Sequence, residues 1–408
     1  MNAPQKIEAS TAKPHILSND AEALASAGEL ARDFNRLAVE RDRDRRLPYP
    51  EIEQFSHAGL GAINVPKSYG GAGVSAHTLA RVTALLASAD GSLGQIPQNH
   101  WYLIEALRLD GSEAQKRFYF ERALQGERFA NALAEAGGKY ATDQTTTVLP
   151  DGDDFVLNGR KFYCSGSLFG HWIVALAVDQ HGKRQLVFVP KACGRDATPG
   201  LSVIDDWSGM GQRTTGSGTV IFENVRVPAL ALVPHHLAFE RPTRMGAYAQ
   251  IIHAAIDLGI AQGAFATTLD FVRTQARPWV DSGVEHAQDD PYVISIVGDL
   301  RVRLAAAEAL VKRAARIVDK AEHEPEAFSE AASIAVAEAR VATNDISLLA
   351  TSKLFELGGS RSARAALDFD RYWRDARTHT LHDPIRWKYF TLGNYWLNGV
   401  KPPRRGNF

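Results

Sequence analysis

Cysteine is nearly missing from these 408 residues: Cys164 and Cys193 are the only two, so neither a disulfide framework nor a cysteine-rich zinc site is available. A reducing, cytoplasmic setting is the expectation. Charge of one sign is missing too, since 46 basic and 47 acidic side chains leave a formal net charge of -1. Broad nucleic-acid binding needs a basic surface that displaces phosphate counterions, and is excluded as a main role. No uncharged apolar run is long enough to span a bilayer, and the opening Met1-Asn2-Ala3-Pro4-Gln5-Lys6-Ile7-Glu8 has no signal-peptide core. The chain therefore reads as soluble, away from membranes, with residues 1–14 loosely ordered. The rest is an ordinary globular composition, 45% hydrophobic and 23% charged, in a chain long enough to enclose a pocket.

Three segments of different character follow. Residues 15–128 are helical: Asn19 to Glu22 reads as a capping box, Pro50 falls in a first helical turn, Ser75 and Ser112 are N-caps, and Gly70, Gly71 and Gly73 mark a turn. Residues 129–234 carry short β-branched or aromatic runs at Thr145–Leu149, Phe155–Leu157, Lys161–Ser165, Trp172–Val178, Arg184–Val189 and Gly218–Phe222. Pro150-Asp151-Gly152, Asn158-Gly159 and Gln180-His181-Gly182-Lys183 punctuate them as hairpin turns, which predicts a small antiparallel sheet or barrel. Residues 235–408 are alanine-rich and helical through Ala249–Ala276, Tyr292–Glu322, Ala327–Leu357 and Ala363–Arg374, as in an antiparallel bundle. The breadth of their apolar faces points to a homo-oligomer.

Common catalytic signatures are missing. No Gly-x-x-x-x-Gly-Lys-Ser/Thr occurs, Gly209-Met210-Gly211 has no helix after it, and Gly166-Ser167-Leu168-Phe169-Gly170 has its serine in the wrong place for a hydrolase elbow. His379, His382 and Asp383 are spaced like ligands, but Pro384 follows at once and no distant third ligand is marked, so no metal is expected.

Four stretches carry a resemblance. The run Gly209-Met210-Gly211-Gln212-Arg213-Thr214-Thr215-Gly216-Ser217-Gly218, continuing to Val227-Pro228, resembles the middle-domain segment of the acyl-CoA dehydrogenase superfamily. Leu157-Asn158-Gly159-Arg160-Lys161-Phe162-Tyr163-Cys164-Ser165-Gly166 is similar to its flavin-flanking strand, Arg277-Pro278-Trp279 to its arginine-containing turn, and Arg374-Asp375-Ala376 to its late helix. The resemblance implies an α+β fold: an N-terminal α-helical domain, a middle antiparallel β domain and a C-terminal helical bundle. Where the dehydrogenases often carry a glutamate base, this chain has Asp383; the flavin loop is reduced to Ala134-Glu135-Ala136-Gly137, and the adenine-supporting element reads Phe355-Glu356-Leu357-Gly358-Gly359. With Ile96-Pro97-Gln98-Asn99-His100 and Thr378-His379-Thr380-Leu381-His382, these replacements resemble the flavin monooxygenases related to dibenzothiophene monooxygenase and the sulfur-acquisition oxidoreductases. That branch implies a homotetramer that takes reduced FMN from a separate NAD(P)H:flavin reductase, by diffusion, and uses dioxygen to oxygenate an organosulfur compound. FAD fits less well. The alternatives are an FAD-dependent acyl-CoA dehydrogenase with Asp383 as base, and a scaffold that has lost catalysis.

The chemistry calls for neutral hydrogen-bond donors in a water-poor pocket. His100, Asn131, Ser165 and His382 are assigned as catalytic, although a turn serine and a core histidine would read the same as Ser165 and His100. Asn131, Leu133, Tyr163, Ser165, Trp207, Ser217, Arg277, Trp279 and Arg374 are assigned to the cofactor. Lys161, Tyr163 and Ser165 would share one strand face, Ser217 and Arg277 suit phosphate, and Arg277 would serve a neighbouring subunit. Trp207 reads equally well as a core aromatic, and Arg374 as part of a salt-bridged helix face.

Overall fold

The computed structural model describes residues 13–140, 142–192 and 197–408. The N-terminal part is built from α1 (Asp20–Arg36), α2 (Ala38–Arg43), α3 (Tyr49–His57), α4 (Ala76–Ala89), α5 (Gly91–Gln95), α6 (Gln98–Asp110) and α7 (Glu113–Leu124). The sequence signals at its helix starts act as read. Asn19 and Ser75 accept from the third backbone N–H of α1 and α4, and Ser112 forms a reciprocal capping box with Gln115. At α1 the returning carboxylate of Glu22 takes the N–H of Ser18, not that of Asn19. Residues 1–12 of the expected loose N-terminus, and Cys193, lie outside the described residues.

The middle part holds β1 (Phe129–Ala132), β2 (Thr147–Asp151), β3 (Asp154–Lys161), β4 (Trp172–Val178), β5 (Arg184–Pro190), β6 (Leu201–Ile204), β7 (Thr219–Val227) and β8 (Leu232–Val233). They form one sheet in the order β6-β7-β3-β2-β4-β5-β8, with β1 beside β4. Most pairs are antiparallel, but β4 runs parallel to both β1 and β2. The reason is connectivity: the β2–β3 hairpin intervenes between β1 and β4, so the chain crosses over before returning. Two local expectations are corrected. Asn158-Gly159 is not a turn but a bulge inside β3, where a side chain on Gly159 would lie 2.3 Å from Thr146 Oγ1. The Lys161–Ser165 run is not a strand, because Tyr163 takes a left-handed φ of 54° and the chain turns away after Lys161.

The C-terminal part consists of α8 (Leu237–Glu240), α9 (Met245–Thr274), α10 (Pro291–His323), α11 (Pro325–Gly358), α12 (Asp370–His379) and α13 (Ile385–Asn398). The expected helix over Ala363–Arg374 starts late because Asp368 is left-handed, with φ 50°. No run had marked α13, whose aromatics Trp387, Tyr389, Phe390 and Trp396 are all exposed. From Ala247 to Ala261 α9 is buried all round, packed against α4 and α11. Arg244, just before α9, ties the two helical parts together by gripping Glu105 of α6 at 2.7 and 3.0 Å and Glu322 of α10 at 2.6 Å. Among the described residues no helix is long and apolar enough to cross a membrane.

Candidate active site

Tyr163, Cys164 and Ser165 form a tight turn in which the Ser165 N–H donates to Tyr163 O at 2.9 Å and the Cys164 N–H to Gly218 O at 3.0 Å. Asn131 at the end of β1 clamps that turn. Its Nδ2 donates to Tyr163 O at 3.2 Å, its Oδ1 accepts from the Leu133 N–H at 2.9 Å, and its own N–H reaches Ser165 O at 3.4 Å. The Leu133 carbonyl is engaged as well, by Gln144 at 3.2 Å and Lys161 at 3.5 Å. From Ser165 a line of hydroxyls runs inward: Ser165 Oγ to Ser217 Oγ at 2.7 Å, Ser217 Oγ to Thr215 Oγ1 at 2.7 Å, and Thr215 Oγ1 to Gln212 O at 3.0 Å. Trp207 donates to the same Gln212 carbonyl at 2.8 Å, and its ring meets the exposed Tyr163 ring edge-on at 6.3 Å. Asn131, Leu133, Tyr163, Ser165, Trp207 and Ser217 are therefore one cluster. It is assembled by a turn and a hydroxyl line, where strand alternation was expected: Lys161 is fully buried and Tyr163 is 61% exposed.

Lys161 turns inward to Glu135 at 2.6 Å and Gln144 at 2.6 Å. Burial alone would raise the Glu135 carboxyl, but the Lys161 ammonium and the Thr145 and Thr146 donors hold it at about 2. The Ala134–Gly137 loop is thus pinned by a buried ion pair.

The Gly209–Gly218 stretch and the Arg374-Asp375-Ala376 helix form a single joint. Asp375 Oδ1 accepts the Gln212 N–H at 2.5 Å, and Gly211 lies so close that a Cβ there would sit 2.0 Å from Arg374 O. Arg374 departs from its cofactor assignment. Its Nε donates to Asp370 at 2.6 Å, Nη1 to Asp42 and Met210 O at 3.2 Å each, and Nη2 to Asp42 at 2.6 Å and Asp368 at 3.0 Å. All the donors of a guanidinium are then in use, so it fastens the joint and has none left for a cofactor. Arg277 and Trp279 are exposed, and among the described residues no contact joins them to the Ser165 cluster.

His100 is buried with both ring nitrogens engaged by backbone. Nδ1 accepts the Phe129 N–H at 3.0 Å, so Nε2 carries the proton and donates to Gly61 O at 2.9 Å. Burial pushes the imidazole down to about 4, which keeps it neutral. In this arrangement His100 has no hydrogen to spare for a ligand. It splices α6 to the start of β1 and lines a small cavity with Ile96, Phe55, Gly166 and Phe169.

His382 lies on the turn between α12 and α13 with its side chain 47% exposed and Nδ1 3.4 Å from Asp383 Oδ1. Beneath it the His253 ring stacks at 4.1 Å between centroids. His253 Nδ1 meets His379 Nε2 at 3.0 Å, His379 Nδ1 meets Asp257 Oδ1 at 2.5 Å, and Arg340 meets Asp257 Oδ2 at 2.5 Å. With both His379 nitrogens occupied, that side chain is not a metal ligand, and no group of three His, Cys, Asp or Glu side chains able to hold a metal occurs among the described residues. His253, Asp257 and Arg340 escaped the sequence reading. The signal for His253 and Asp257 was two ionisable residues one turn apart inside an apolar helix; Arg340, on α11, had none.

Comparison with known proteins adds a match to three family domains in chain order: the acyl-CoA dehydrogenase N-terminal domain over residues 22–127, its middle domain over 130–225 and its C-terminal domain over 251–387. The chain belongs to the acyl-CoA dehydrogenase family. Dibenzothiophene monooxygenase of Rhodococcus qingshengii is 32% identical over 406 residues, covering 96% of this chain and 97% of its own. A probable FMNH2-dependent monooxygenase of Pseudomonas putida is 34% identical over 388 residues, covering 93% and 96%. The crystal structure of FMN-bound TdsC from Paenibacillus sp. A11-2 superposes with a TM-score of 0.89 at 32% identity, over 95% of this chain and all of that one.

Asp383, which the resemblance set in the place of a dehydrogenase base, is poorly suited to that work. Burial would raise its carboxyl, yet the His382, Lys388 and Arg340 charges hold it far below the ordinary carboxylate range. A carboxylate so reluctant to take a proton is a weak base toward a carbon acid. The cluster around Ser165 does fit a flavin mononucleotide. The hydroxyls of Ser165, Thr215 and Ser217 lie in a line, Gly216 turns left-handed at φ 60° beside them, and Trp207 and Tyr163 offer aromatic surface for a flat ring.

Proposed function

We propose that this chain is a two-component monooxygenase that uses reduced FMN and dioxygen to oxygenate the sulfur of an organosulfur compound. The observation that carries the reading is the hydroxyl line Ser165–Ser217–Thr215 beside Trp207 and Tyr163, in a chain that superposes on an FMN-bound relative. Asn131, Leu133, Tyr163, Ser165, Trp207 and Ser217 hold the flavin from one protomer; Arg277 and Trp279 come from a neighbour in a homotetramer. Exposure of Trp279, Val280 and Tyr292, at 69%, 82% and 80%, supports their burial between subunits. Bound reduced FMN supplies the electrons that carry one oxygen atom of dioxygen to water while the other is transferred. The protein's part is positional. Ser165 and the Asn131 amide fix the turn that faces the ring, and Ser217 and Arg277 hold phosphate. His100 serves as a neutral positioning residue, and His382 holds or gives a proton at Nε2 while its Nδ1 faces Asp383. The flavin arrives reduced from a separate NAD(P)H:flavin reductase in the cytoplasm.

Titration of the purified protein with FMN and FAD, each oxidised and photoreduced, tests the cofactor assignment. Preference for reduced FMN is the expected result. Tight retention of oxidised FAD, reduced anaerobically by an acyl-CoA, would replace the proposal with dehydrogenation.

A further inference from the structure

Four buried side chains on three helices form a line whose purpose packing alone does not explain. Arg340 on α11, Asp257 and His253 on α9, and His379 on α12 are each no more than 2% exposed. A carboxylate only accepts hydrogen bonds, so His379 must carry its proton on Nδ1, 2.5 Å from Asp257 Oδ1. Burial holds the rings of His379 and His253 below the usual range, while Asp257 stays ionised despite its burial, between His379 and Arg340. A neutral His379 protonated on Nδ1 accepts at Nε2, and His253 must then donate from its own Nδ1 across 3.0 Å. Each link dictates the proton position of the next, as an orienting aspartate does for a catalytic histidine. The line ends where the His253 ring lies 4.1 Å from His382, with the planes at 35°.

We propose that Arg340, Asp257, His379 and His253 are positioning residues that fix the His253 ring in one neutral tautomer, as the platform for His382, and so set the orientation with which His382 meets substrate. The use to which His382 is put rests on the oxygenation reading; the brace itself does not. The charged and titratable groups around His382 are Asp383 next to it, Lys388 on α13, Arg340 on α11, His379 on α12, and His253 with Asp257 on α9.

Two measurements test this on flavin-free protein. Neutron diffraction from wild-type crystals should place deuterium on Nδ1 of both His379 and His253; deuterium on Nε2 of either with Nδ1 bare overturns the brace. The second is the rate of His382 modification by diethylpyrocarbonate at one fixed pH, read by mass spectrometry. His379→Phe, which keeps a flat ring but breaks the line, should raise that rate severalfold by freeing the His253 platform. His379→Gln, which can still donate to Asp257 and accept from His253, should restore it. An unmoved rate with a reduced melting temperature would make the line merely structural. A raised rate in a protein that oxygenates no sulfur compound would uphold the brace and remove the oxygenation reading, whereas oxygenation with an unmoved rate would do the reverse.

Discussion

Ser217 sits in the middle of the hydroxyl line, 2.7 Å from both Ser165 and Thr215, so its removal breaks two contacts at once. Ser217→Ala should weaken FMN binding by about tenfold, the order expected for one hydrogen bond to a charged group, and should also lower the melting temperature because two buried hydroxyls lose a partner; flavin fluorescence titration and calorimetry check the two effects. Arg277→Ala should weaken FMN similarly while leaving the thermal unfolding of the protein unaltered, because the side chain is exposed in the protomer. A stability loss without an affinity loss would argue against its phosphate role. At this scale the sequence was informative about types and silent about engagement. Ser165, Ser217, Asn131 and Trp207 were named through a resemblance and do cluster. Arg374 and His100 were named in the same way, yet their donors are taken up by carboxylates and by backbone carbonyls. Residue type cannot reveal whether a hydrogen is already engaged. That depends on long-range contacts such as Arg374 to Asp42.

Helices were easier to read than the sheet because caps and apolar periodicity are local. Ser75 and Ser112 mark true helix starts, whereas Tyr163 and Asp368 adopt left-handed conformations that no local rule assigns to a tyrosine or flags in advance. Asn158-Gly159 had the chemistry of a turn and became a bulge, because Thr146 on the neighbouring strand needs the space a side chain would fill. The joint between α12 and the Gly209–Gly218 stretch gives the prediction that belongs here. Gly211→Ala would drive a methyl against the Arg374 carbonyl, at 2.0 Å, and push Gln212 off Asp375. Trp207 and Thr215 both hang on the Gln212 carbonyl, so the expected outcome is loss of FMN binding together with a lowered melting temperature in calorimetry.

Across the whole molecule, acid should be the weak point. His100, His235, His253 and His379 are buried, and burial holds each below the ordinary histidine range. A depressed folded-state value means that the unfolded chain binds protons the folded one refuses, so stability is complete above about pH 6.5 and declines as the pH falls below it. Each such histidine contributes a slope of about 1.4 kcal/mol per pH unit, and chemical denaturation at a series of pH values should show a combined slope of several protons. A flat profile down to about pH 4 would mean that these rings are solvated in solution. Order and type of the three parts were legible from composition shifts along the chain. The oxygenation chemistry was legible only where the chain departs from its dehydrogenase relatives, at Asp383 and the Ala134–Gly137 loop. The most direct test supplies photoreduced FMN, isotope-labelled dioxygen and a panel of aryl sulfides and alkane sulfinates, and follows the label by mass spectrometry. Oxygenation predicts label on the sulfur product with reduced FMN and none when FMN is omitted; unlabelled substrate throughout, with an acyl-CoA reducing bound FAD under anaerobic conditions, would contradict it.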